Sequence, residues 1–200
     1  MTEDTPAAVP FALVAVASSA GGIHGVSVLL EGLGADLRVP VLLVQQLDPR
    51  HRTLIAEVLG RRTALRVKLA ELEERVLPGT VYVAPPDRHL LIDSRGFLSL
   101  SSTAAVHFVR PSADVLFASV AASYGSRAIA VVLTGTGSDG ADGAVAVRHS
   151  GGTVIVQDPR TAQFAGMPDA AVAAGAADFV LPLEGIPAML RELVEAKRQS

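Results

Sequence analysis

The chain has 200 residues, 50% of them hydrophobic and 18% charged, with a formal net charge of −3. The length fits one domain, and the composition excludes a disordered chain. The charge balance argues against nucleic acid as a partner, the lack of cysteine excludes disulfides and thiolate chemistry, and no apolar run reaches the ~18 residues of a membrane span. Because the N-terminus also lacks the features of a signal peptide, we expect a cytoplasmic domain without direct membrane insertion.

Apolar runs of strand length alternate with helical patterns along the chain. After a flexible tail at residues 1–10, strands are predicted at 11–17, 39–47, 80–86, 128–137, 153–158 and 178–183. Helices are predicted at 25–34, 49–63, 112–125, 139–152, 167–177 and 185–200. Ser112 is the predicted N-cap of the third helix. Two short apolar segments around 90–100 predict a β-hairpin, which we expect to add an antiparallel edge to the sheet.

Strands that alternate with helices predict an α/β fold, a single domain over residues 11–200 with a doubly wound, mostly parallel sheet flanked by helices. Ligands of such folds bind beyond the carboxyl ends of the strands. The loops to consider are therefore SSAGGIHG, QQLDPRH, APPDRH, TGTGSDG and QDPRTAQFAGMP.

The loop after the first strand, ASSAGGIHG, holds a serine on a tight turn before a helix. Ser19 could act there as a nucleophile beside the amides of the helix end, with Gly21 and Gly22 as possible site neighbours. The loop could instead bind a phosphate or only connect two elements. Ala17 departs from the Gly-x-Ser-x-Gly pattern, so this motif alone leaves the alternatives open.

The loop LTGTGSDGADG is rich in glycine, which lets the backbone approach a ligand closely. Asp139 either caps the helix that follows or acts as a carboxylate that orients a base or binds a cation. Asp142, one turn later, is expected to be a solvated carboxylate in the first turn.

The histidines are not spaced like metal ligands, so no metal site is expected. His24 and His51 lie at predicted helix starts, where they could face the site or stay on the surface. His89 follows a strand end and is a possible site neighbour. His149 lies near a helix C-terminus, a structural position.

Six segments, in chain order, resemble the catalytic domain of the chemotaxis receptor methylesterase family, CheB. They are VASSAGG, QQLDP, RVLPGTVYVAPPDRHL, RPSADVLFASVA, VVLTGTGSDGADG and FAGMPDAA, and the resemblance runs from about residue 11 to 195. It implies a doubly wound parallel α/β fold without cofactor or metal. It also implies hydrolysis of methyl esters of glutamate side chains on cytoplasmic helices of chemoreceptors, and in many members deamidation of glutamines. The family commonly carries a receiver domain ahead of this one, so we expect a stand-alone form or a trimmed chain.

The family uses a serine, a histidine and an aspartate in that order. By resemblance the serine corresponds to Ser19 and the aspartate to Asp139, and the histidine position is occupied by Gln46. The backbone donors for an oxyanion correspond to Ala20 and Thr136, where the family often has methionine in place of the threonine.

Gln46 leaves three interpretations open. It is an introduced substitution, or the natural chain has become a catalytically silent receptor-binding or scaffold module, or another histidine, His89 or His51, supplies the base. A nucleotide- or phosphate-binding protein that uses SSAGG as an anion loop ranks below these, because the chain lacks the P-loop lysine and the Rossmann glycine spacing.

Overall fold

The computed structural model describes residues 13–47 and 54–196. Its strands are β1 Leu13–Ser18, β2 Val41–Gln45, β3 Arg66–Leu69, β4 Thr80–Val83, β5 His89–Ile92, β6 Leu98–Ser101, β7 Ala128–Val132, β8 Thr153–Gln157 and β9 Phe179–Leu181. Its α-helices are α1 Gly22–Leu33, α2 Ile55–Gly60, α3 Ala113–Tyr124, α4 Ala141–His149, α5 Gly166–Ala173 and α6 Ile186–Ala196.

Seven of these strands form one parallel sheet in the order β3-β4-β2-β1-β7-β8-β9. The chain leaves β1 toward β2 on one side and later returns to place β7 on the other side. The strand order therefore reverses between β1 and β7, which is the position where doubly wound sheets bind ligands. The loops after these two strands hold Ser19 and Asp139, so the topology brings both residues to one edge.

Helices cover both faces of the sheet, and side chains of the strands alternate between two apolar layers. In β1, Leu13, Ala15 and Ala17 pack with α3, α4, α5 and the β5–β6 hairpin. Val14 and Val16 pack on the opposite face with α1, α2 and α6. Because both faces of the central strands are buried, these strands read as unbroken apolar runs in the sequence. The predicted doubly wound α/β fold with a hairpin near 90–100 is thus confirmed.

Two expectations about the sheet edge were incomplete or wrong. β3 is absent from the predicted strands, because it is short and only partly buried and carries charged residues between apolar ones. The β5–β6 hairpin does not extend the main sheet but forms its own two-stranded sheet. It packs on α3 instead, where Ser119 Oγ accepts the amide of Ile92 and Ser123 Oγ donates to the Ile92 carbonyl.

The predicted tail at 1–10, the start of the predicted strand at 11–17, part of the helix predicted at 49–63 and the last residues of the chain lie outside the described residues. Within the described ranges, no helix combines the length and apolar character needed to cross a bilayer.

Candidate active site

Ser19 follows β1 directly, and its hydroxyl oxygen lies in front of two backbone amides. Oγ accepts the N–H of Ala20 at 2.6 Å and the N–H of Thr136 at 3.2 Å. The turn that aims these groups depends on Gly21, which adopts a left-handed φ of 73° as the N-cap of α1. Gly22 then begins the helix. Two loops from neighbouring strands thus present amide donors to one serine oxygen.

A buried side-chain amide connects the loop that holds Ser19 to the end of β2. Gln45 Oε1 accepts the hydroxyl of Ser18, and its Nε2 donates to the carbonyls of Ser19 at 2.7 Å and Gln46 at 3.2 Å. Gly22 leaves the space for this contact, since a Cβ there would overlap Gln45 Oε1. Gln45 lies in the QQLDP segment that carries the resemblance, but sequence reasoning gave it no role, because the bonds it makes depend on the tertiary structure.

Gln46 joins the ends of β2 and β7. Its backbone N–H donates to the Ser18 carbonyl at 3.0 Å, and its side-chain Nε2 donates to Asp139 Oδ2 at 2.5 Å. The side chain is half-buried and the carboxylate is buried. An amide donor therefore occupies the position next to the carboxylate.

The carboxylate of Asp139 is held by the N-terminus of α3. Oδ1 accepts the hydroxyl of Ser112 at 2.7 Å and the amide of Asp114 at 3.2 Å, and Oδ2 accepts the amide of Ala113 at 2.6 Å. Amides at the start of a helix stabilise an anion in this position. Ser112 is also the N-cap predicted for this helix, and its Oγ accepts the amide of Val115.

The interpretation of Asp139 as the cap of the following helix was wrong. The N-cap of α4 is Gly140, with a φ of 97° and no side-chain cap. The carboxylate points instead across the sheet edge to a helix that is distant in sequence, which local reasoning could not reveal.

His89 lies behind the site and not in it. It is fully buried, its Nδ1 accepts the amide of Ser112 at 3.1 Å, and its Nε2 lies 3.0 Å from the Ala104 carbonyl. These partners require a neutral imidazole with the proton on Nε2. Because both ring nitrogens are engaged away from Ser19, His89 is not placed to accept its proton. His51 lies outside the described residues.

The glycine loop after β7 packs on the start of α5. A Cβ on Gly135 would overlap Met167 Sδ and lie 2.9 Å from Ser19 Oγ. Thr134 Oγ1 accepts the amide of Phe164 at 2.9 Å, and the Thr134 amide donates to the side chain of Gln157 at 3.0 Å. Glycine at 135 is therefore required by a close approach. The sequence shows that this loop is rich in glycine, but it does not show that the loop contacts Gln157, Phe164 and Met167.

A second polar cluster lies where α3 and α4 begin. His107, Asp114 and Asp142 have possible ligand atoms within 4.8 Å of one another, so these three side chains could together hold a metal ion, although His107 and Asp142 are exposed. Burial, the main cause, and the nearby carboxylate of Asp139 raise the pKa of Asp114 to about 6, against a partial opposing effect of the Gly143 amide. Oδ2 of Asp114 is buried without a hydrogen-bond partner, and His107 Nε2 lies 3.4 Å from it.

Ser19 lies on an open cleft of about 390 Å³. Its described lining comprises Ser19, Ala20, Gly21, Gly22, Ile23, His24, Gln45, Gln46, Leu47 and Gln163. Among these described lining residues, His24 is the only histidine. A depression of about 420 Å³ lies around Leu33 and Arg191, and its lining, as far as the structure describes it, includes no serine.

Comparisons with known proteins agree with this geometry. Residues 14–190 match the family model described as CheB methylesterase. The chain is 40% identical over 177 residues, 88% of its length and 50% of the relative's, to a protein named protein-glutamate methylesterase/protein-glutamine glutaminase of group 3 operon from Rhizobium meliloti. It is 39% identical over 173 residues, 86% of its length and 90% of the relative's, to a putative protein-glutamate methylesterase/protein-glutamine glutaminase from Leptospira interrogans.

The chain thus spans about half the length of the Rhizobium relative and most of the Leptospira one. Among solved structures, it superposes on the crystal structure of the Thermotoga maritima CheB methylesterase catalytic domain with a TM-score of 0.87 and 37% sequence identity. The match covers 94% of this chain and 100% of that one. The chain belongs to the CheB methylesterase family.

Proposed function

We propose that this chain is a protein-glutamate methylesterase-type hydrolase acting in the cytoplasm on glutamyl methyl esters of chemoreceptor helices. Ser19 is the nucleophile, Asp139 the orienting carboxylate, and Gln46 occupies the position of the base. Ala20 and Thr136 supply the oxyanion amides. Names of relatives at about 40% identity support the substrate class, and some of those names add glutamine deamidation as a further activity.

The observation that carries the proposal is the bond between Gln46 and Asp139. In an esterase of this type, one nitrogen of an imidazole would donate its N–H to the carboxylate, and the other nitrogen would accept the proton of the serine hydroxyl. Gln46 Nε2 reaches Asp139 Oδ2 at 2.5 Å, and Gln46 and Ser19 line the same cleft. The amide thus makes the contact expected of one imidazole nitrogen.

The reaction is acyl transfer. Ser19 Oγ attacks the ester carbonyl carbon, and the carbonyl oxygen gains negative charge beside the amides of Ala20 and Thr136. Collapse of the intermediate breaks the bond to the methoxy oxygen, which takes up the proton that Ser19 loses and leaves as methanol, so an acyl-serine remains. Water then attacks this ester, which releases the glutamate side chain and regenerates the hydroxyl.

Gln46 limits this reaction because an amide cannot accept the serine proton at any working pH. General-base catalysis is worth about 10²–10⁴-fold in rate. The native chain should therefore retain substrate binding and oxyanion stabilisation but turn over slowly.

The same observation favours a second candidate function, a silent receptor-binding or scaffold module. Asp139 keeps a satisfied partner in Gln46, so the site remains ordered without a base. Tight binding of methylated receptor without methanol release would be its signature.

The experiment measures methanol release from a methyl-esterified chemoreceptor cytoplasmic domain by the native chain, Gln46→His, and Gln46→His combined with Ser19→Ala. We expect Gln46→His to exceed the native rate by at least about 10²-fold, since it restores the base. The double variant should fall to the rate without protein. A Gln46→His variant no faster than the native chain would overturn the assignment of these three residues.

A further inference from the structure

A strained hairpin stands beside the cleft, between β6 and α3. Val106 and Val109 exchange two backbone hydrogen bonds of 3.0 and 2.9 Å. The two residues at its tip, His107 and Phe108, have left-handed φ angles of 49° and 65°. Residues other than glycine rarely adopt this conformation, and such strain is a feature from which a functional role can be inferred.

The tip presents its aromatic ring to solvent. Phe108 is 102% exposed, the highest fraction among the exposed large apolar residues that the structure describes. Leaving a phenyl ring in water forfeits the apolar burial that aromatic residues normally supply. Strain and exposure at one residue together point to a state in which a partner covers the ring.

The ring borders a groove that adjoins the active-site cleft. The groove has a volume of about 250 Å³ and is lined by Gln46, Leu47, Asp87, Ala105, Phe108, Val109, Arg110 and Pro111. Gln46 and Leu47 also line the cleft that contains Ser19. The groove and the cleft therefore share a wall, so a ligand bound in the cleft lies next to the groove.

One ion pair anchors the hairpin, and most of the other residues that line the groove are apolar. Arg110 donates to Asp87 Oδ1 at 2.8 and 2.6 Å and to the carbonyls of Ser102 and Thr103 at 3.0 and 2.9 Å. Arg110 and Asp87, the two charged residues of the described groove lining, therefore pair with each other. The remaining surface beside Phe108 is then suited to an apolar side chain.

We propose that Phe108 is a substrate-docking residue. It packs against an apolar side chain of the same receptor helix that presents the glutamyl methyl ester to Ser19, so it selects esters that lie on an amphipathic helix. Side chains three or four positions apart on a helix are about 5–6 Å apart, which suits two adjoining concavities with one shared wall. This inference rests on the proposed function.

The test uses Phe108→Gly, Phe108→Leu and a control, Glu73→Gly. Glycine at 108 removes the ring and also relieves the left-handed strain, so stability and substrate use should change in opposite directions. Glu73 is an exposed residue with a φ of 60° outside the groove lining. Glu73→Gly therefore reproduces the relief of strain without removing an aromatic ring.

Two quantities are measured. In the Gln46→His background, kcat/KM is compared between a methyl-esterified receptor cytoplasmic domain and the γ-methyl ester of a blocked glutamate, which is too short to reach the hairpin. In the Ser19→Ala background, the Kd for the same receptor domain is measured. Melting temperature is followed for every variant.

We expect Phe108→Gly to lower the ratio of receptor to short-ester kcat/KM by at least about tenfold and to raise the receptor Kd equally, without lowering the melting temperature. Phe108→Leu should restore most of the ratio, and Glu73→Gly should not change it. An unchanged ratio for Phe108→Gly would overturn docking while the proposed function stands. Docking would also be overturned if the native chain were a dimer that Phe108→Gly dissociates, because the ring would then bind a second copy of the chain. If Gln46→His hydrolyses neither ester, the proposed function and this inference both fall.

Discussion

Gln46 donates its side-chain amide to Asp139, with 2.5 Å between Nε2 and Oδ2. The same carboxylate accepts two amides and a hydroxyl from the N-terminus of α3. Asp139 is thus fully coordinated by donors although the position beside it lacks an imidazole. These bonds explain how the carboxylate keeps its orientation with an amide beside it, and they make the carboxylate a target for substitution.

Asp139→Asn in the Gln46→His background should lower methanol release by about 10⁴-fold, the scale of an orienting aspartate replaced by asparagine. Two of the three donors from α3 bind Oδ1, so the asparagine should keep its oxygen there and place its amide nitrogen toward the histidine. The histidine must then accept from that amide, which puts its own proton on the nitrogen that faces the serine. The single Gln46→His variant is the reference. Activity within tenfold of it would show that the carboxylate does not orient the base.

Ser112→Ala should lower the free energy of unfolding by about 2 kcal/mol, because it removes the N-cap of α3 and one partner of buried Asp139. Urea denaturation provides the measurement. Ser150→Ala removes an exposed hydroxyl that donates to the Val147 carbonyl, and this change should cost less than about 0.5 kcal/mol. Equal effects of the two substitutions would contradict the role given to Ser112.

Gly22→Ala should cost about 1–3 kcal/mol by overpacking, since the added Cβ would lie 2.6 Å from Ser18 Oγ and overlap the Gln45 amide. Gln45→Ala should suppress part of this loss when the two substitutions are combined, because it vacates the same space. Gly60→Ala, whose Cβ would lie 3.9 Å from Val67, is the matched control and should be neutral. Thermal unfolding that ranks Gly60→Ala as the worse variant would refute the packing argument.

Asp114→Asn should change how stability depends on pH. Burial raises the pKa of Asp114 from 3.8 to about 6, so the folded protein holds this proton more tightly than the unfolded chain does. The stabilisation by protonation is complete below about pH 4 and lost as pH rises through about 6. Asparagine stays neutral and can still accept the Gly143 amide, now 2.7 Å from Oδ1.

The variant should therefore gain up to about 2–3 kcal/mol on the native chain between pH 4 and pH 7, as measured by urea denaturation across that range. Asp169→Asn, which removes an exposed carboxylate in the first turn of α5, is the control for the loss of one negative charge. A difference between Asp114→Asn and the native chain that is constant with pH would exclude the raised pKa.

His89→Ala should destabilise the fold by about 3 kcal/mol, because it opens a cavity and leaves the buried Ser112 amide without its acceptor. The pH profile of methanol release by Gln46→His should keep its shape. His149→Ala, on the surface at the end of α4, is the control. Loss of a limb of that profile on substitution of His89 would identify it as a base and contradict the position observed here.

Much of the fold follows from local pattern. Buried parallel strands need apolar residues on both faces, so β1, β2, β7 and β8 are continuous apolar runs that the sequence alone reveals. Alternation with helices then predicts a doubly wound sheet, and this places Ser19, Gln46 and Asp139 at strand ends. β3 escaped prediction because its half-buried edge position leaves no such run.

What only the tertiary structure decided is which distant groups meet. Asp139 looked like a cap for the next helix, yet its carboxylate is bound by α3, because the sheet order brings the two helix starts together. His89 looked like a neighbour of the cleft but is buried behind it. The hairpin that exposes Phe108 has neither glycine nor asparagine at its tip, so the sequence contains no turn signal from which to predict it. Side-chain period and turn chemistry are local properties of a chain, whereas the partners of a buried polar group depend on strand order.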